Sequence, residues 1–165
     1  MKKLWVLSAV MLLLSSVVQS ESIYLIRHAE KADDGSKDPM LTIQGQQRAQ
    51  NIADMLSHAN IQHVYATDYQ RTQLTAKPLA DYLGINVTTY NPSELTAFAE
   101  QLKQQKGNAL VVGHSNTTPM LTHLLSGKPE IKLAETDFDY MFQVVIDGPH
   151  KTLTVLKSLP IQSVE

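Results

Sequence analysis

No cysteine occurs among the 165 residues. That excludes disulfides and a lipid-bearing cysteine behind a leader, and it makes the chain indifferent to the redox state of its compartment. No Lys/Arg stripe is present either. The 14 basic residues are scattered among 16 acidic ones for a net charge of −2, so nothing provides the basic footprint a nucleic-acid partner requires. There is no phosphate-binding P-loop and no Asp/Glu cluster of the kind that holds Mg²⁺. No internal repeat, low-complexity tract or linker divides the chain. With these absences the length fits one domain around one core.

What is present begins with a leader-like segment. "MKKLWVLSAVMLLLSSVVQS" has a basic start, Lys2 and Lys3, an apolar stretch from Leu4 to about Val18, and a small-residue ending. Val18 and Ser20 suit the −3 and −1 positions of a signal peptidase site, so cleavage is expected after Ser20. The alternative is retention as an anchor, but the stretch contains Ser8, Ser15 and Ser16 and is shorter than the ~20 residues of a spanning helix. The expectation is therefore a signal peptide over 1–20 and a catalytic domain over 21–165, acting in the periplasm or outside the cell. Losing the leader makes the net charge more negative, so any anion site has to be local.

Beyond the leader, short apolar runs alternate with segments of helical period. "SIYLI" (22–26), "HVYAT" (63–67), "INVTTY" (85–90) and "NALVVGH" (108–114) read as strands. The stretch 43–59 places Ala49, Ile52, Ala53 and Leu56 on one helical face. The stretch 69–83 does the same with Ala76, Leu79, Ala80 and Leu83, ends at Gly84, and contains Pro78, where a kink or break is expected. Residues 91–105 read as a helix with Asn91 as N-cap, Pro92 in the first turn and Glu94 closing a capping box. A helix over 117–126 follows the strand 108–114. "YMFQVVID" (140–147) and "KTLTVLKS" (151–158) read as a hairpin. The alternation predicts an α/β fold, a three-layer α/β/α sandwich. Its central sheet is mostly parallel, has helices on both faces, and gains an antiparallel edge from the C-terminal hairpin.

In such a sheet, ligands bind at the carboxyl ends of the strands. Four residues fall there: Arg27 and His28 after the first strand, Arg71 after the second, and His114 after the fourth. If those strands are neighbours, two histidines and two arginines face one edge. Arg offers a planar fork of donors matched to phosphate oxygens. The N-terminus of the 117–126 helix favours an anion. A neutral imidazole can attack phosphorus, and a second, cationic one can stabilise the transferring charge. This cage would take the place of a metal ion, and the sequence calls for no cofactor.

The same residues resemble the histidine phosphatase superfamily, the phosphoglycerate-mutase-like fold. "LIRHAEK" is similar to its Arg-His-Gly-Glu signature, and "LTIQGQQRA" (41–49) to its Leu-Thr/Ser-x-x-Gly-x-x-Gln-Ala segment. "YATDYQRTQLTAKPLA" (65–80) is similar to its Ser-x-x-x-Arg-x-x-x-Thr-Ala segment, and "LVVGHSN" (110–116) to the segment bearing its second histidine. The resemblance spans about 21–126. It implies a branch 1 phosphatase with His28 as nucleophile and Arg27, Arg71, His114 and Asn116 around the phosphate. Ala29 departs from the signature glycine. Family members often use a carboxylate to protonate the leaving oxygen, and Glu94 lies roughly where the mutase-like branch carries it. Asp33, Asp34 and Asp68 are weaker candidates, and Glu30 is read as a structural partner. Some members that cleave phosphohistidine need no acid. The implied substrate is a small phosphorylated molecule. No nucleic acid is expected, nor a membrane after cleavage, and the oligomeric state is open.

Two other readings remain open. Gly-His-Ser-Asn-Thr (113–117) approaches the Gly-x-Ser-x-Gly nucleophile elbow, between a strand and a helix as that motif requires. Ser115 would then attack an ester, with Asp137, Asp139 or Asp147 and His150 completing a triad, although Thr117 crowds the turn. A non-catalytic phosphate binder is the other. His58, His63 and His123 read as bland, and no His pair has metal-ligand spacing. The segments 31–40 and 127–139 are expected to cover the pocket.

Overall fold

The structure, a computed structural model, describes residues 20–159. The expected leader, apart from Ser20, lies outside the described residues. Ten elements follow in the order β1 (Glu21–Arg27), α1 (Ile43–Leu56), β2 (Ile61–Ala66), α2 (Gln70–Leu83), β3 (Val87–Thr89), α3 (Leu95–Gln104), β4 (Asn108–Gly113), α4 (Thr117–Ser126), β5 (Tyr140–Asp147) and β6 (His150–Lys157). The six strands form one sheet in the order β3-β2-β4-β1-β5-β6. The first four are mutually parallel, and the β5–β6 hairpin adds antiparallel pairing at the β1 side.

Strand alternation builds two cores. Ile23 and Leu25 of β1, with Ala109 and Val111 of β4, face one side and pack against Phe98, Leu102, Leu121 and Leu125 of α3 and α4. Ile26, Leu110 and Val112 face the other and meet Ile52, Leu56, Ala76 and Leu79 of α1 and α2. Because β1 and β4 are buried on both faces, their runs are uninterruptedly apolar. This is the expected three-layer α/β/α sandwich with its antiparallel edge.

Two local expectations are corrected. Helix α2 runs unbroken through Pro78. The ring removes one backbone N–H, but Thr75, Ala76, Leu79 and Ala80 are buried around it, and that packing outweighs the local penalty. Helix α3 starts at Leu95, not near Asn91. Asn91 instead accepts Ser93 N through its own Oδ1 at 3.0 Å, a local turn that competes with the helix. Glu94 is therefore the N-cap residue, with no side-chain cap bond.

Among the described residues no helix is long and apolar enough to cross a membrane.

Candidate active site

The parallel register places the ends of β1, β4 and β2 side by side: Arg27 pairs with Gly113, and Val112 with Ala66. His28 extends the ladder one step, its N–H donating to Gly113 O at 2.9 Å. The His28 ring is buried, 3% exposed. Its Nδ1 lies 2.8 Å from Ala29 O. A carbonyl only accepts, so Nδ1 carries the proton and Nε2 keeps a free lone pair. The His114 ring lies 5.5 Å away, edge-on. Its Nε2 meets Thr67 Oγ1 at 2.9 Å, and Thr67 is tied in turn to Thr72 Oγ1.

Both rings are electrostatically starved of protons. Burial pushes His28 down to about 3; the bond to Ala29 O opposes this, and Arg27, His114 and Arg71 add to it. Burial likewise takes His114 to about 4, helped by Arg71 and then Arg27. The expectation of a cationic His114 is corrected for the ligand-free site: both imidazoles are neutral at neutral pH.

The two arginines flank them. Arg27 stacks over Phe138, its guanidinium carbon 4.3 Å from the ring centroid, and Arg71 stacks over Tyr69 at the same distance. Arg27 Nη1 donates to Ala134 O and Glu135 O, and Nη2 to Glu135 Oε2 at 2.9 Å. Arg71 Nη1 is 3.6 Å from Asp38 Oδ1. Arg27 Nε and Arg71 Nε are buried donors without an acceptor among the described residues. All four residues line one cleft of about 480 Å³, with Lys31, Asn116 and Glu135 also on its wall. Three cations against one carboxylate make this cleft locally positive on an acidic protein, as an anion site needs.

Comparison with known proteins finds likeness in part of the sequence and in the fold. A family model described as "Histidine phosphatase superfamily (branch 1)" matches residues 23–91. The fold matches the structure of the protein histidine phosphatase SixA complexed with tungstate, with a TM-score of 0.68, 18% identity, and 82% of this chain and 96% of that one covered. Residues 23–91 are thus similar to the histidine phosphatase superfamily, and the described chain shares the fold of these structures. Phosphoserine phosphatase from Entamoeba histolytica, in complex with 3-phosphoglyceric acid, is also similar, with a TM-score of 0.61, 16% identity, and 84% and 98% of the two chains covered. Among curated relatives, the probable phosphoglycerate mutase GpmB of Enterobacter sp. (strain 638) is 37% identical over 71 residues, 39% of this chain. The match spans 33% of that relative's length.

The sequence motifs have physical jobs here. Thr42 caps α1, its Oγ1 accepting Gly45 N at 3.0 Å, while Thr42 N donates to Glu30 O at 2.9 Å. A side chain at Gly45 would collide with the Glu30 backbone, so glycine lets α1 dock on the turn that carries His28. Glu30 takes Arg48 Nη2 at 2.7 Å and Nε at 3.0 Å, and Arg48 Nη1 reaches Ser158 Oγ at 2.8 Å. Glu30 is thus the structural partner expected. Ala29 is fully buried against Leu41 and Ala49, and its N–H donates to Thr75 Oγ1. Asn60 is the one non-glycine residue with positive φ among those described. The backbone at Ala29 is therefore ordinary, and the methyl group is tolerated.

Other candidates fall elsewhere. Glu94 is exposed and lines a separate cavity beside Tyr90 and Gln101, while its neighbours Pro92 and Ser93 reach the cleft. Asp33, Asp34 and Asp68 do not line the cleft. The serine triad is not assembled. Asp147 and His150 pair across the hairpin turn next to the start of β1, at the opposite edge of the sheet from Ser115. Asp139 pairs with Lys157, and Asp137 Oδ2 accepts Ala134 N. Ser115 Oγ donates to Glu135 Oε1 at 3.2 Å. Glu135, Phe138, Tyr69 and Lys31 are site residues that sequence reasoning did not single out. The covering segments do supply three of them, Lys31 from 31–40 and Glu135 and Phe138 from 127–139.

Proposed function

We propose that this protein is a phosphatase that hydrolyses a small phosphorylated molecule through a phosphohistidine on His28, without a metal ion, and that its leader directs it out of the cytoplasm. The observation that carries the reading is the pairing of a neutral His28, Nε2 lone pair free, with two buried arginine Nε–H groups that lack an acceptor. Unsatisfied buried donors are costly in a folded protein. A phosphoryl group supplies acceptors to both.

In this mechanism Arg27 and Arg71 hold the phosphoryl oxygens. His28 Nε2 attacks phosphorus in line, and the bond to the leaving oxygen breaks. Positive charge arising on the ring is stabilised by Ala29 O at Nδ1. The dianion beside His114 reverses that ring's electrostatics and favours its cationic form, with Nε2 anchored to Thr67. Water then attacks phosphorus, the N–P bond breaks, and its electron pair returns to Nε2. The arginine and histidine cage supplies the charge stabilisation that a divalent ion gives elsewhere.

The test is release of 4-nitrophenolate from 4-nitrophenyl phosphate by the protein lacking residues 1–20, alongside 4-nitrophenyl acetate. Expected are phosphate release insensitive to chelator, a trapped acid-labile phosphoenzyme, and loss of both by at least about 10³-fold in His28→Ala. Full activity in a well-folded His28→Ala protein would remove His28 as nucleophile.

A further inference from the structure

Among the described residues, Glu135 is the one carboxylate on the wall of the cleft. It stands on the 127–139 segment between α4 and β5. Its side chain is 83% exposed, while the Arg27 side chain it pairs with is 3% exposed. One carboxylate oxygen accepts Arg27 Nη2 and the other accepts Ser115 Oγ. Its own carbonyl accepts Arg27 Nη1 at 2.9 Å. The carboxyl group is therefore oriented from both ends, an arrangement not needed for a surface ion pair.

Position then decides its role. His28, the nucleophile, is buried at the floor of the cleft. In-line displacement puts the leaving oxygen opposite His28 Nε2, toward the mouth. Glu135 brings a carboxyl group to that mouth, a group whose oxygen can carry and pass on a proton, whereas the guanidinium groups of Arg27 and Arg71 stay charged. A phosphoryl group seated on Arg27 lies beside the Glu135 carboxyl group, which shares that guanidinium.

We propose that Glu135 is the proton donor to the leaving-group oxygen, held in place by Arg27 and Ser115. As the P–O bond breaks, its electron pair stays on the leaving oxygen, which takes the Glu135 proton and departs as an alcohol. Glu135, now a carboxylate, accepts a proton from the water that attacks phosphohistidine. Phosphate leaves, and the acid is restored. This assignment rests on the phosphatase reading above.

The test compares 4-nitrophenyl phosphate with 4-methylphenyl phosphate, which are alike in shape and differ in how much their leaving oxygen needs a proton. For Glu135→Gln, kcat/KM should fall about 100-fold or more on the methylphenyl ester and only severalfold on the nitrophenyl ester. Equal losses on both esters would mean that Glu135 only braces Arg27, and would overturn the assignment. So would no loss, or a gain from removing a competing anion. A wild-type protein that cleaves neither ester refutes the parent reading instead, which the His28→Ala labelling experiment detects independently.

Discussion

His28 and His114 are kept neutral by burial and by the two arginines beside them, and that places a burden on the fold in acid. Their ordinary value is 6.5, while in the folded chain they sit at about 3 and about 4. Between those limits the unfolded chain binds more protons than the native one. Stability should therefore fall as pH drops below 6.5, by up to about 1.4 kcal/mol per pH unit for each ring, and level off above it. Denaturant unfolding of wild type and His114→Asn between pH 4.5 and 7 checks this: the variant should show the shallower slope, and parallel curves would rule the account out. The two histidines and two arginines were legible in the sequence because each follows an apolar strand whose end is easy to see. Glu135 was not. It belongs to an irregular segment with no periodicity, and what makes it part of the site is Arg27, 108 residues away along the chain. Glu94 misled for the complementary reason: its neighbours do reach the cleft, but a local turn at Asn91 delays the helix and leaves its side chain over another cavity.

Helix α2 carries Arg71 at its second residue and Pro78 near its middle. The ring leaves the helix one hydrogen bond short, so Pro78→Ala should raise unfolding free energy, by up to about 3 kcal/mol. A lower melting temperature would show instead that Pro78 packs better than it hydrogen-bonds poorly. Helix α1 is joined to the site turn by Glu30 and Arg48, whose side chains are 16% and 10% exposed. Arg48→Leu leaves that carboxylate unpaired and should cost about 3–5 kcal/mol. Glu30→Gln/Arg48→Met, which removes both charges, should recover much of it. A single variant as stable as wild type in urea would disprove the pairing's role. At this scale the sequence was most informative where apolar spacing was regular, as in α1 and in β4. It was least informative at helix starts, where side-chain turns compete with backbone bonds, and at Pro78, where burial overrides an intrinsic penalty.

Over the whole molecule, alternating elements made the layered architecture readable, and the hairpin supplied its antiparallel edge. Strand order was not readable, because neighbours in a sheet are decided by which faces bury each other rather than by succession in the chain. That order matters for the site. β1, with His28 at its end, and β2, followed by Arg71, do not touch: β4 lies between them. His28 emerges early from the ribosome and Arg71 soon after, yet neither has its pocket until residues 108–113 insert between the two strands. Long-range closures of this kind form late in folding. A nascent chain thus carries the histidine proposed as nucleophile, with Arg27 beside it, for about half of its synthesis before β4 can bring His114 to it. On the proposed mechanism the His28 imidazole becomes competent only as the central strand locks, so assembly of the fold itself would serve as the activating event.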